Sequence, residues 1–204
     1  MKRLTPKAAF RKLASIYDRM VDQYADAAST IGLTCEGCTD NCCLSFFQHH
    51  TYVEWAYLWE GLNELPADRL EAVKDRARAY VDEALAAQAR GERPHIMCPL
   101  NIDEKQGICG LYKHRLMICR MHGVPNALRR PSGGGVQFPG CYRCQELTAG
   151  LEAEGREAPL VDRTPLYRDL ATLEMQFVGA NLRQLPKVDH TIAEMIVLGP
   201  PRLR

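Results

Sequence analysis

Between residues 5 and 31 the apolar positions Phe10, Leu13, Tyr17, Met20, Tyr24, Ala27 and Ile31 recur at steps of three and four, the spacing of one helical face. Thr5 with Pro6 supplies a cap and a first turn, and Gly32 supplies a stop, so the pattern predicts a helix over 6–31. Thr51 followed by Glu54 has the form of a capping box. Val53, Tyr57, Leu58 and Leu62 then carry a second helix towards Leu65, where Pro66 interrupts it. A third follows from about Ala67 to Arg90, with Leu70, Val73, Ala77, Tyr80, Ala84 and Leu85 inward and Gly91 as its stop. Those two should lie antiparallel.

From Pro94 to Cys144 the pattern changes. Apolar pieces are short, Cys, Gly and Pro are frequent, and the run Ser132-Gly133-Gly134-Gly135 reads as a mobile loop, because its glycine spacing matches no dinucleotide or phosphate fingerprint. Residues 151–158 read as an exposed polar linker. Thr164-Pro165 opens a further helix through Leu166, Leu170, Leu173, Phe177 and Leu182, ended by Pro186, and Asp189 is a candidate cap for a short last helix with Ile192, Met195 and Ile196. The expectation is a mainly α fold with little or no regular sheet. It forms one domain over 1–204, in which helices at about 6–31, 51–90 and 164–198 hold an irregular cysteine-bearing region at 33–50 plus 94–146.

The cysteines carry the chemistry. Seven of the nine fall into two arrays, Cys35-x2-Cys38-x3-Cys42-Cys43 and Cys98-Pro99-x9-Cys109-x9-Cys119-Arg120, and Cys141-x2-Cys144 follows. One cysteine alone reads as a small apolar side chain. Nine in polar, Gly-rich loops read as soft thiolate ligands for zinc or an iron-sulfur cluster, since a Cys-x2-Cys step aims two sulfurs at one ion. Adjacent Cys42 and Cys43 would point apart in an extended segment, which suits a single tetrahedral ion poorly and leaves one of them aside or at a second centre. Irregular spacing places an iron-sulfur cluster ahead of zinc, although Cys35/Cys38 and Cys141/Cys144 are knuckles of the zinc kind. The order of spacings is the reverse of the Cys-x3-Cys-x2-Cys of radical S-adenosylmethionine sites. His49, His50, His114 and His122 are further donors, His122 foremost because it lies three residues beyond Cys119. Arg115 and Arg120 stand where they can offset sulfur charge, and Arg120 is the candidate anchor for a bound anionic cofactor or substrate.

Charge and hydropathy narrow the partners. Lys and Arg total 26 against 25 Asp and Glu, which leaves no footprint for a phosphate backbone, so nucleic acid is not the default partner. No stretch approaches the roughly 20 apolar residues of a membrane span. A cysteine-dense chain of this kind fits the reducing cytoplasm, where thiols serve metals rather than a disulfide framework.

The combination Cys35-x2-Cys38-x3-Cys42-Cys43, Cys98-Pro99-Leu100 and Cys109-Gly110-Leu111-Tyr112-x2-Arg115-x3-Cys119-Arg120 resembles the YkgJ-type cysteine-cluster family, described as zinc- or iron-chelating. The resemblance covers about residues 35–120 and implies that Cys35, Cys38, Cys42, Cys43, Cys98, Cys109 and Cys119 form the metal set. It departs at Leu116, where relatives usually carry proline, and at Leu100, where they usually carry an aromatic residue. Longer relatives include lysine N-methylases acting on flagellin. Three functions therefore stand: a metal-binding protein built round a multi-cysteine centre; a redox or group-transfer enzyme with an open metal position; and a zinc-ribbon-like module that binds a protein or RNA through Arg115, Arg120, Arg129 and Arg130.

Overall fold

The computed structural model describes residues 3–36, 38, 42–105, 107–130 and 132–203. Among them, seven α-helices and five short strands form a mainly α fold: α1 Pro6–Ile31, α2 Tyr52–Leu62, α3 Ala67–Ala89, β1 Asn101–Asp103, β2 Ile108–Cys109, α4 Met117–Met121, β3 Asn126–Arg129, β4 Gly135–Phe138, α5 Tyr142–Ala153, β5 Val161–Asp162, α6 Thr164–Val178 and α7 Ile192–Val197. No helix is long and apolar enough to cross a membrane among these residues.

Helix α1 forms as its periodicity dictates. The Thr5 hydroxyl accepts the N–H of Ala8 at 3.3 Å, and at the other end Gly32 adopts φ +75°. There Leu33 N–H reaches Ala28 O at 2.8 Å and Gly32 N–H reaches Ser29 O at 3.2 Å, the paired bonds of a Schellman stop that only glycine enters without strain. Leu13, Ile16, Tyr17 and Met20 on its inner face are buried. This face packs on α2, α4 and α6.

Helix α2 is the centre of the molecule. Tyr52, Val53, Trp55, Tyr57, Leu58, Trp59 and Leu62 are all buried, and a helix that is apolar on every side must be surrounded. Its two indole N–H groups both donate to Met195 O at 3.0 Å. The expected antiparallel pairing of α2 with α3 does not form. Helix α3 lies along α7 with Val73, Ala77, Tyr80 and Ala84 inward, while Leu85 turns outward and is 59% exposed.

Two buried carboxylates join the helices end to side. Glu174 of α6 accepts the N–H groups of Tyr52 and Val53 at 2.8 and 2.9 Å, capping α2 from a distant part of the chain. Glu54 of α2 accepts the Tyr17 hydroxyl, the Thr51 hydroxyl and the Met117 N–H, each at 2.8 Å. The Thr51–Glu54 capping signature thus forms in part: Thr51 caps the Glu54 N–H at 3.4 Å, and the carboxylate is turned inward to hold α4. The full reciprocal box occurs instead at Thr191 and Glu194, which start α7 where Asp189 was the expected cap.

The middle of the chain is more ordered than its composition suggests. Strands β1 and β2 pair antiparallel, and β3 lies between antiparallel β4 and parallel β5. Gly133 and Gly134, at φ +86° and +72°, make the turn of the β3–β4 hairpin rather than a free loop. Helix α5 continues to Ala153 with Leu151 buried, so the expected linker begins inside a helix. Helix α6 ends at Val178, where Gly179 at φ +79° starts a 3-10 segment over Gly179–Arg183.

Replacing Glu174 with Ala leaves two helix N–H groups without their acceptor, and the expected loss in urea unfolding is about 1–2 kcal/mol. Burial holds the Glu174 carboxyl above its ordinary value of 4.5, so the folded chain binds that proton more tightly than the unfolded one. The stability this gives below pH 4.5 is lost as pH rises through the folded-state value. Glu174→Gln removes that slope, which unfolding curves at a series of pH values will show.

Candidate metal centre

Five of the nine cysteines line one cavity of about 70 Å³: Cys42, Cys43, Cys98, Cys109 and Cys119, with His49, Arg115, Phe47, Tyr80 and Ile192 completing the wall. A single water needs roughly 10–15 Å³, so the space admits a small cluster of atoms.

Separate local devices bring each sulfur there. Cys42 and Cys43 sit on a 3-10 turn, Cys42–Leu44, and not in an extended segment. Both line the same cavity. Cys98-Pro99-Leu100-Asn101 is a β-turn closed by Asn101 N–H to Cys98 O at 2.9 Å, with proline at the position that fixes φ for such a turn. The Cys98 N–H donates to Cys43 O at 2.9 Å, which fastens the two arrays together. Cys109 comes from β2, and Cys119 from α4, whose first residue is held by Glu54. Leu100 and Leu116 are both buried, at 4% and 0% exposure, and serve the core.

The thiols are hard to ionise in this arrangement. Burial pushes Cys98 well up, Cys109 up, and Cys119 to about 12, and neighbouring sulfurs add to the effect on all three. The N–H groups of Leu100 and Leu111 pull Cys98 and Cys109 the other way, as does the Arg115 guanidinium on Cys109 and Cys119. Cys42 and Cys43 titrate as a pair. Loss of a proton from Cys43 is favoured by the hydrogen bond from Cys42, opposed by burial and helped by Arg115, and the proton left on Cys42 is then held tightly.

None of the remaining four cysteines lines that cavity. Cys141 and Cys144 lie at the start of α5. Burial raises Cys141 of the last Cys-x2-Cys step, and Cys38 and Cys35 of the first raise it further. Arg143 donates to Glu36 O at 2.6 Å between them. Cys35 also acts on Cys42, which makes the two groups neighbours. No disulfide joins any of the nine cysteines. Among the described residues, no three His, Cys, Asp or Glu side chains stand close enough together to hold a metal ion as placed.

The other nominated residues divide clearly. Arg120 donates to Arg115 O at 2.8 Å and Lys113 O at 2.6 Å and lies 4.2 Å over the Tyr17 ring. It is Arg115 that lines the cavity, its Cζ 3.7 Å over Tyr112 and its Nε buried with no hydrogen-bond partner among the described residues. His122 meets Phe47 edge to face at 4.8 Å, and His50 lies 3.3 Å from Asp189. His114 packs on Tyr57 and against Gly61, where an added Cβ would stand 2.5 Å from its ring. His49 is the histidine on the cavity. It is 1% exposed, neither ring nitrogen has a partner among the described residues, and burial lowers its pKa to about 3. Its position comes from the backbone bridge with His190, at 2.7 and 3.1 Å, which no local spacing announces. Arg129 lies 3.5 Å from Asp162.

In reduced, metal-free protein at pH 7, one thiol of the Cys42–Cys43 pair should be alkylated by iodoacetamide before Cys98, Cys109 or Cys119. Peptide mass spectrometry against time checks the order. Arg115→Ala should slow the first modification by weakening the thiolate.

Comparison with protein-family models, with curated proteins and with solved structures finds no match to this chain in any of the three.

Proposed function

We propose that this chain is a cysteine-based metal-binding protein whose main centre occupies the cavity of Cys42, Cys43, Cys98, Cys109 and Cys119, holding an iron-sulfur cluster ahead of zinc. The observation that carries the reading is the convergence of five thiols, from four separate stretches of chain, on one small cavity. Core packing alone does not call for it, because each cysteine is placed by a turn, strand or short helix of its own.

The donor set suits the group. Thiolates are the ligands of both candidate centres, and Arg115 offers positive charge to a site that would carry excess negative charge. A bound cluster would supply one-electron chemistry, and zinc a fixed tetrahedral cross-link. The chain's own residues would supply four or five sulfurs, release their protons on binding, and exclude water with Phe47, Tyr80 and Ile192. Because the described sulfurs stand short of ligating distance, binding would complete the folding of this region. The likeness to the YkgJ-type family supports the same reading, and nine cysteines without a disulfide fit a reducing compartment such as the cytoplasm.

The enzyme alternative rests on His49 and Arg115. Both line the cavity with buried nitrogens that have no partner among the described residues, and buried polar groups are otherwise almost always satisfied. Arg115 would grip an anionic group of a substrate, and neutral His49 would accept or donate a hydrogen bond beside it.

Elemental analysis with an absorption spectrum on anaerobically purified protein tests the main reading. Iron with sulfide and visible absorbance is expected, and it should be lost in Cys109→Ala and in Cys119→Ala. Zinc bound by the same cysteines without visible absorbance would reassign the centre to zinc. Absence of both metals, with the chain folded, would refute metal binding.

A further inference from the structure

We infer that Cys35, Cys38, Cys141 and Cys144 form a second centre, a tetrathiolate zinc site that fastens the N-terminus of α5 to the segment after α1. None of the four lines the five-thiol cavity. Their grouping rests on independent contacts, so either centre can fail without the other.

The first pair occupies a turn in which the Cys38 N–H donates to Cys35 O at 3.2 Å. The second pair occupies the start of a helix, with Cys141 at the N-cap and Cys144 in the first turn of the 12-residue α5. A Cys-x2-Cys step is the ligand spacing found in structural zinc sites. Arg143 lies between the cysteines of one pair and Glu36 between those of the other. Their side chain to main chain bond, Arg143 Nη1 to Glu36 O at 2.6 Å, therefore sets one knuckle against the other.

Further contacts hold the α5 knuckle in place. The Cys141 N–H donates to Gly123 O at 3.2 Å. Gly140, at φ +88°, approaches so closely that an added Cβ would stand 2.7 Å from Gly123 O and 2.9 Å from the Cys144 sulfur. A side chain there would push that sulfur aside. Cys144 is fully buried beside Ile31 and Leu151, and the Tyr24 hydroxyl of α1 packs against Gly123, where an added Cβ would collide with it. The charges of Cys38 and Cys35 bear on Cys141, in line with the Arg143–Glu36 contact that sets the two knuckles side by side.

Four thiols arranged as two Cys-x2-Cys steps suit zinc, which has no geometric preference beyond tetrahedral closure and takes four sulfurs in structural sites. Binding converts four thiols and Zn²⁺ into a tetrathiolate complex of charge −2 with release of four protons, and the Arg143 guanidinium offsets part of that charge. In the metal-free chain the described sulfurs do not meet at one point.

The test is zinc titration of the full chain, reduced and metal-free under anaerobic conditions, against a competing chelator. Cys141→Ala/Cys144→Ala should lower bound zinc by about one equivalent, and Cys98→Ala/Cys109→Ala/Cys119→Ala should keep that equivalent. Cys35→Ala/Cys38→Ala, which leaves the buried core untouched, must lose the same zinc should the α5 variant fold poorly. Zinc-edge X-ray absorption on the cavity variant should show four sulfurs at about 2.3 Å. Unchanged zinc in the Cys35/Cys38 variant, or a mixed nitrogen and oxygen shell, overturns the second centre alone. Loss of all metal from the cavity variant shows a single shared centre and overturns it too. A wild-type chain that takes up no zinc or iron overturns both readings.

Discussion

Thiols that share an apolar cavity cannot shed their protons without a cation to replace them. That constraint governs the cysteine region of this molecule. Burial and mutual repulsion hold Cys98, Cys109 and Cys119 in the neutral form, while Arg115 alone of the described cavity residues brings a permanent positive charge. Without a metal the region holds three neutral thiols and a Cys42–Cys43 pair that releases a single proton, which gives it little to pack with. The same five as thiolates round a metal would become its strongest cross-link.

The helical half is built so that this arrangement does not depend on the thiols alone. The all-round apolar α2 sits at the centre, and buried carboxylates on α2 and α6 satisfy helix N–H groups that would otherwise be stranded. Glu54 is the link to the chemistry. By accepting the N–H of Met117 it fixes the start of α4, and two residues later α4 delivers Cys119 to the cavity. The chain from sequence to site thus runs through a polar contact in the core, and a packing defect in α2 would be felt at the cysteines.

How far this was legible in the residues depended on the length of each signal. Helix α1, with seven apolar positions in register and a glycine stop, was readable to the residue, and α3 nearly so. The strands, two to four residues long, carry no period to read. Helix α5 was hidden because its segment, Tyr142–Ala153, has only a weak apolar face and opens on a pair of cysteines that drew attention as ligands. Leu85 was expected on the inner face of α3 and yet faces solvent, since it lies about 100° round the helix from Ala84, while Ala84 and Ala87 on either side of it are buried. At the site, the cysteines announced themselves by type and spacing, but their division into five and four could not be read, because it depends on which loops meet. For the same reason His122 stood out by sequence proximity while a backbone bridge to His190 brought His49 to the cavity instead.

The central claim is that an inorganic centre fills the space between Cys42, Cys43, Cys98, Cys109 and Cys119. Diffraction from anaerobically grown crystals of the unmodified chain, collected on both sides of the iron and zinc absorption edges, addresses it directly. The account predicts an anomalous peak in that cavity, within about 2.3 Å of cysteine sulfurs. The same five side chains found as free thiols or cystines round a cavity with no anomalous peak at either edge would contradict it.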